Sequence, residues 1–389
     1  MTLKQETLAI REQTARSYNR EHSAPIYMTS SFVFDSAEQG QALFQEEEEG
    51  NIYSRFSNPN TTELINKICK LEQAESGLVT ASGMAAMFSS MAALLKSGDH
   101  ILASRSLFGS THQILTSIFP NWGIEHTYVD INDVENWESS VQKNTKLIFL
   151  ETPSNPGLDI IDLEKVGKLA KAHELTLVVD NCFATPCLQK PMLFGADLVT
   201  HSTTKLMDGQ GRTIGGAIVG KSKLIEKIQF FNRHTGPSMS PFNAWILSKS
   251  LETLSLRMDK HCENALGLSK VLEKDHRVSN VKYPFLRSHP KFDIAKKQMG
   301  KGGALVTFSI DGGFEKASKF MNGLTFLSLT SNLGDTRTTV THPASTTHSK
   351  LSKEERQLVG INEGLIRISV GLEHIDDIVK DIDQALKNV

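Results

Sequence analysis

Apolar positions in this chain take up a regular period only from Thr61 onward. Leu64, Ile65, Ile68 and Leu71 recur at helical spacing, and residues 83–95 predict a second helix with Ser82 as its N-cap. Residues 100–103, 146–150, 175–179 and 197–200 are short apolar runs of strand length. Between two of them, residues 162–173 place Leu163, Val166, Leu169 and Ala170 on one helical face behind an aspartate cap. Residues 215–219 predict one further strand. Strands apolar on both faces, alternating with helices, predict an α/β fold with a mostly parallel, doubly wound sheet.

The texture differs on either side of this region. Residues 1–55 read as irregular, with Pro25 and Gly50 breaking short apolar pieces, and as an arm that packs on a neighbouring subunit. The four carboxylates Glu46 to Glu49 read as a solvated turn or helix end. Beyond residue 245 a helical stretch at 243–266 precedes strands at 303–310, 324–329 and 365–370. A final amphipathic helix carries Ile375, Ile378, Val379, Ile382 and Leu386. The expected organisation is an arm (1–55), a large domain (56–245) and a smaller α+β domain (246–389).

Composition narrows the class. A chain of 389 residues is too long for one small core, and 39% hydrophobic with 22% charged residues is ordinary for a globular protein. A formal net charge of −2 gives no sign of a nucleic-acid or membrane partner, and no apolar run approaches spanning length. Residues 1–16 lack the continuous apolar core of a signal peptide. Cys69, Cys182, Cys187 and Cys262 form no metal-ligand or disulfide pattern, so no metal is expected and reduced thiols in a cytoplasm are the simplest reading.

The chemistry collects where predicted strands end. Asp180 closes the apolar run Val178-Val179, and His201-Ser202-Thr203-Thr204-Lys205 follows the next strand. Open parallel sheets bind ligands at that carboxyl edge, so the sheet itself brings these residues together. A lysine there can form a Schiff base with a carbonyl cofactor, and an aspartate can keep a pyridine nitrogen protonated. Ser82-Gly83-Met84 opens a helix whose amides suit a phosphate, with hydroxyls from Ser202 and Thr204. Taken singly, each piece has a plain structural reading: aspartates cap helices, lysines after strands are exposed, and Ser-Gly precedes many helices. In order on one scaffold they describe a pyridoxal 5′-phosphate (PLP) site.

Six strings carry a resemblance to a known family. They are Tyr53-Ser54-Arg55-Phe56-Ser57-Asn58-Pro59, Ala81-Ser82-Gly83-Met84-Ala85-Ala86, Glu151-Thr152-Pro153-Ser154-Asn155-Pro156, Val179-Asp180-Asn181, His201-Ser202-Thr203-Thr204-Lys205 and Arg367-Ile368-Ser369-Val370-Gly371-Leu372-Glu373. In this order they resemble the Cys/Met-metabolism (trans-sulfuration) family of PLP enzymes over nearly the whole chain. The resemblance implies the aspartate-aminotransferase-like fold (fold type I), with a mostly parallel seven-stranded large-domain sheet, in a homotetramer built as a dimer of dimers. It implies Lys205 as the Schiff-base lysine and Asp180 as partner of the pyridine nitrogen. Ser82, Gly83, Met84, Ser202 and Thr204 would hold the phosphate, reached by Tyr53 and Arg55 of the neighbouring subunit. Asn155 would sit beside the ring oxygen and Phe108 would stack on the ring. Arg367 would clamp the substrate carboxylate, with Asn332 and Tyr53 also meeting the substrate.

Three departures from the family pattern bear on the activity. Phe108 stands where many members, including the γ-lyases, have a tyrosine, and Ser110 where methionine γ-lyases have a cysteine. Asn332 replaces a serine usual in synthases and lyases. These choices, with the segment 205–212, resemble most the sulfhydrylases that act on O-succinylhomoserine. The implied reaction is a γ-replacement that makes homocysteine from an O-acylhomoserine and sulfide. Competing expectations are a cystathionine γ-synthase, an O-acetylhomoserine sulfhydrylase, a methionine or cystathionine γ-lyase, and a PLP-binding protein without catalysis.

Overall fold

The computed structural model describes residues 3–389. Its centre is a seven-stranded sheet of β1 (Ser76–Thr80), β2 (His100–Ser104), β3 (Glu125–Val129), β4 (Thr145–Glu151), β5 (Thr176–Asp180), β6 (Leu198–His201) and β7 (Gly216–Gly220), in the order β1-β7-β6-β5-β4-β2-β3. Only β7 runs against the others, pairing antiparallel with both β1 and β6. Side chains alternate between two apolar layers, as the pleat requires. Leu102, Ile148, Leu150, Leu177, Val179 and Val219 face one core, and Ile101, Leu147, Phe149, Val178 and Ile218 face the other.

Helices close both faces. Helix Leu163–Ala172 begins where expected, because Asp162 accepts the Glu164 and Lys165 amides at 3.1 and 3.2 Å. Helix Gly83–Ala92 is capped by Ser82 and ends three residues short of the expected 95. Two strands of this sheet escaped the sequence reading, as did two in the smaller sheet described below. Edge strand β3 carries the polar run Glu125-His126-Thr127, and β1 is only half-buried over most of its length, so neither shows a continuous apolar signature. The arm is less irregular than expected, containing helices Gln5–Arg11 and Ala37–Phe44; Ser36 caps the second. Glu46 lies in a turn and pairs with Arg233 at 2.6 Å.

The smaller sheet contains β8 (Ser279–Lys282), β9 (Leu305–Ser309), β10 (Ser328–Leu329), β11 (Thr339–Thr341) and β12 (Leu365–Ser369), in the order β10-β11-β12-β9-β8. The strand expected over 324–329 shrinks to its last two residues. The Thr325, Phe326 and Leu327 amides instead donate to the Asp381 carboxylate, which takes them out of any ladder. Helix Ile375–Leu386 packs Ile378, Ile382 and Leu386 into this second core. Among the described residues, no helix is long and apolar enough to cross a membrane.

The helical stretch expected over 243–266 is two helices, Pro241–Leu251 and Leu254–Leu272. At the break, the buried Arg257 guanidinium takes the freed Ser250 carbonyl at 2.9 Å and also binds the Leu206 and Met207 carbonyls at 2.6 and 3.1 Å. The long helix is thereby tied to the segment directly after Lys205. Its first turns bury Leu254, Met258 and Cys262 in the large core, and Ala265, Leu268 and Leu272 enter the smaller one.

Gly209 makes that tie testable. Its φ is +68°, and a Cβ there would lie 1.9 Å from Arg257 Nη1. Gly209→Ala combines left-handed strain with a clash, and is expected to destabilise the fold by about 1–3 kcal/mol. Urea unfolding of the apoprotein measures this; an unchanged midpoint would show that the tie is dispensable.

Candidate active site

Ser202 and Lys205 follow β6, next to Asp180 at the end of β5, because parallel neighbours end at the same sheet edge. They line a cavity of about 500 Å³ together with Ser82, Gly83, Met84, Phe108, Asn155, Thr204, Asn332 and Arg367. Eleven of the thirteen residues expected at the site are thus brought together. Tyr53 and Arg55 are not. Tyr53 bridges Ser31 and is exposed, while the Arg55 guanidinium lies over Phe56 at 4.7 Å and donates to the Arg233 carbonyl.

Among the described residues, three ionic groups in the cavity have no oppositely charged partner in hydrogen-bond contact. Asp180 accepts only the Cys182 amide, at 3.0 Å, and its burial pushes the carboxyl up to about 6 against the pull of that bond and of His201. Burial depresses Lys205, and Arg367 adds to this; its Nζ donates to Asn332 Oδ1 at 2.5 Å. Arg367, 1% exposed in the middle of β12, is pushed down to about 10 by burial. Its Nη1 reaches Asn155 Oδ1 at 2.8 Å, its Nη2 the Ser331 carbonyl at 3.1 Å, and its Nε has no partner. Uncompensated buried charge of this kind is costly unless a charged ligand completes it.

The residues fit PLP. Helix Gly83–Ala92 presents the Gly83 and Met84 amides, which no described group accepts, because Ser82 caps only Ala85, at 3.1 Å. Gly83 lies so close to Ser202 that an added Cβ would be 2.5 Å from the Ser202 Cβ, so only glycine leaves the cradle open. Ser202 could add its hydroxyl there. Thr204 also lines the cavity, and its Oγ1 exchanges hydrogen bonds with the Gly215 amide and carbonyl at 3.0 and 3.2 Å. At the other end, the Asp180 carboxylate suits a protonated ring nitrogen and the Arg367 fork suits a carboxylate.

Sequence reasoning passed over Glu151, which lines the cavity and accepts the Phe108 amide at 2.9 Å. The rule that selected Asp180 would have found it, since it too ends a strand at the carboxyl edge. Thr347, Phe183 and Ile214 also line the cavity and carry no local signal. Ser110 is exposed and outside the lining, whereas its neighbour Thr111 is buried within it. Cys182 lines the cavity too, with burial raising its thiol far above the ordinary range, and burial pushes Cys187 up to about 11. Both thiols are therefore poorly reactive.

The sequence model of the Cys/Met metabolism PLP-dependent enzymes matches residues 6–387. The chain belongs to this family. Its cofactor is pyridoxal 5′-phosphate, and its fold is the type I fold of PLP enzymes. It is 44% identical over 386 residues to an L-methionine gamma-lyase of Fusobacterium nucleatum subsp. nucleatum, covering 98% of both chains. It is 43% identical over 381 residues to an O-succinylhomoserine sulfhydrylase of Pseudomonas aeruginosa, covering 98% of this chain and 94% of the relative. A crystal structure assigned as an O-acetylhomoserine (thiol)-lyase of Campylobacter jejuni subsp. jejuni superposes with a TM-score of 0.95 at 34% identity, covering 99% of this chain and 100% of that one. That protein carries N′-pyridoxyl-lysine-5′-monophosphate at its position 205. Family members of different activity are thus about equally similar to this chain, so overall identity does not choose among them.

The depressed Lys205 amine sets a pH expectation. Only the neutral amine attacks a carbonyl, and a lowered pKa makes that form abundant at lower pH. Capture of PLP by apoenzyme, followed by absorbance, should rise through a midpoint below 10.5, the ordinary lysine value. Lys205→Ala should bind the cofactor without the covalent absorbance change. A wild-type midpoint at or above 10.5, or covalent capture by the variant, would contradict the assignment.

Proposed function

We propose that this protein is an O-succinylhomoserine sulfhydrylase, a transferase that makes L-homocysteine and succinate from O-succinyl-L-homoserine and hydrogen sulfide in methionine biosynthesis. The observation that carries the reading is Phe108: it lines the cofactor cavity where γ-lyases of the family have a tyrosine, and it brings no hydroxyl. Of the other titratable side chains in the lining, Glu151 and Cys182 are driven toward their neutral acid forms by burial. The Lys205 amine is the group suited to carry protons to and from carbon.

When bound, PLP supplies the electron sink that lets an amino acid lose protons from carbon. Asp180 favours the protonated ring nitrogen on which that sink depends. Arg367 holds the substrate α-carboxylate with its planar fork, which fixes the α-carbon against Lys205. The Lys205 amine removes the α-proton, would hand it on to the bound cofactor, and, neutral again, takes a proton from the β-carbon. The γ-carbon–oxygen bond breaks, and succinate leaves with its electron pair. Sulfide forms the new carbon–sulfur bond at the γ-carbon, and Lys205 returns the protons to the β- and α-carbons. Asn332, already bonded to the Lys205 amine, restrains its swing between the two carbons.

Tyr53 and Arg55, absent from this chain's own cavity, are proposed to reach the phosphate of a neighbouring subunit in a homotetramer built as a dimer of dimers. Four free cysteines support a reducing, cytoplasmic location. The methionine γ-lyase reading is kept as the second, because relatives of that name are equally similar. Holoenzyme incubated with O-succinylhomoserine should yield homocysteine with sulfide at a higher kcat/KM than with O-acetylhomoserine. Cystathionine formed preferentially with cysteine would make it a synthase, and ketobutyrate with ammonia and methanethiol from methionine a lyase. Phe108→Tyr should raise thiol-independent ketobutyrate release by roughly a hundredfold, the lower end of what one positioned proton-transfer group contributes; no change would remove Phe108 as the determinant.

A further inference from the structure

We propose that Glu151 is a positioning residue of the cofactor site, a neutral carboxylic acid that ties Phe108 to the end of β4 and leaves Asp180 as the anion facing the cofactor ring. The observations are geometric first. Glu151 and Asp180 are the last residues of adjacent parallel strands and stand opposite each other in register. Both are buried, at 4% and 5% exposure, and both line the same cavity. Neighbouring strands lie about 5 Å apart, and two carboxylates at that spacing away from water cannot both stay ionised at ordinary pH.

Which of the two keeps the proton follows from their surroundings. The titratable and charged groups sharing the cavity with Glu151 are Asp180 and Cys182 at the end of β5, Lys205 beyond β6, and Arg367 on β12. Burial, and then the Asp180 charge, push the Glu151 carboxyl well above the ordinary range, against the Phe108 and Asn155 amides and Arg367. Asp180 has the Cys182 amide and His201 on its side and titrates at about 6. A bound pyridinium would favour the Asp180 anion further. The proton therefore resides on Glu151.

A neutral acid suits the second task. Phe108 precedes the short helix Gly109–Gln113, and its amide donates to Glu151 Oε2 at 2.9 Å. That bond fixes the start of the segment whose ring lines the cavity, and it satisfies a donor that would otherwise be buried without a partner. An ionised Glu151 would hold the amide more tightly. It would also compete with Asp180 for the ring-nitrogen charge and with the substrate carboxylate for Arg367. The neutral form avoids both conflicts.

This inference rests on the cofactor lying against Asp180, and the test separates the two claims. In the infrared spectrum, wild-type apoenzyme and holoenzyme should both show the carbonyl stretch of a buried neutral carboxylic acid, lost in Glu151→Gln. Glu151→Ala should lower kcat/KM by about tenfold or more and alter the circular dichroism of the bound cofactor, since Phe108 loses its anchor. Glu151→Gln should restore kcat/KM to within about threefold of wild type, with the pH midpoint of cofactor absorbance moved by less than about half a unit. A shift of about one unit or more in Glu151→Gln, or no lost carbonyl band, would mean that Glu151 is ionised and overturns the proposal. Wild-type kcat/KM in Glu151→Ala would overturn the positioning role. If Glu151→Ala does not fold, the infrared and pH readings on Glu151→Gln decide alone. A carbonyl band in apoenzyme together with failure to bind PLP would instead refute the cofactor's placement.

Discussion

A buried carboxyl group at the end of β5, with no cation in contact, is the constraint around which this structure is arranged. Asp180 is 5% exposed at the carboxyl edge of a sheet whose two faces are covered by apolar layers, so its charge is poorly solvated. On the proposed reading a ligand nitrogen offsets that cost. Lys205 and Arg367 pose the same problem with opposite sign at the same cavity. Three unfinished electrostatic interactions converging on one space amount to a description of the ligand: a cationic ring nitrogen, a carbonyl and a carboxylate. PLP with an amino-acid substrate has all three.

The lysine is useful only if its amine is placed, and much of the fold is spent on that. Arg257 holds the Leu206 and Met207 carbonyls from the break between two long helices. Gly334, at a φ of +77°, packs so closely on the Lys205–Leu206 peptide that a Cβ would lie 2.6 Å from the Leu206 amide. The backbone at Lys205 is therefore clamped from the large core on one side and from the smaller domain on the other. Asn332, two residues before that glycine, takes the amine itself. A single flexible side chain is thus held at both its backbone and its amine, as the proposed base would need to be.

These placements were unevenly legible in the sequence. The central strands β4, β5 and β6 were readable because burial on both faces makes them continuous apolar runs, and Asp180 and Lys205 were readable because they interrupt that pattern at its end. The Ser82-Gly83-Met84 helix start, which fits a phosphate, was readable because a cap and a glycine mark it. Edge strand β3 was hidden by its polar side chains, and the strand expected at 324–329 was lost to Asp381, a competitor some fifty residues away that no local window contains. Thr204, expected at the phosphate from its position and from the resemblance, lines the cavity with its hydroxyl bonded to Gly215. A strand's own polar residues hide it from a periodicity reading, and a distant partner removes one that the periodicity favours.

Uneven legibility also explains why whole-chain similarity stops short of the reaction. A lyase and a sulfhydrylase at 44% and 43% identity can share every element that clamps the lysine and completes the ring nitrogen, because both chemistries need the same electron sink. They diverge in what happens once the γ-carbon is unsaturated, which is decided by where protons can be delivered. In this chain the cavity is lined by a phenylalanine whose backbone amide donates to Glu151, and by carboxyls and a thiol buried at the strand edge. On the proposed reading, proton delivery would be confined to one amine. A scaffold common to the family, with its proton carriers so reduced, would favour an intermediate that waits for a nucleophile over one that is protonated and released.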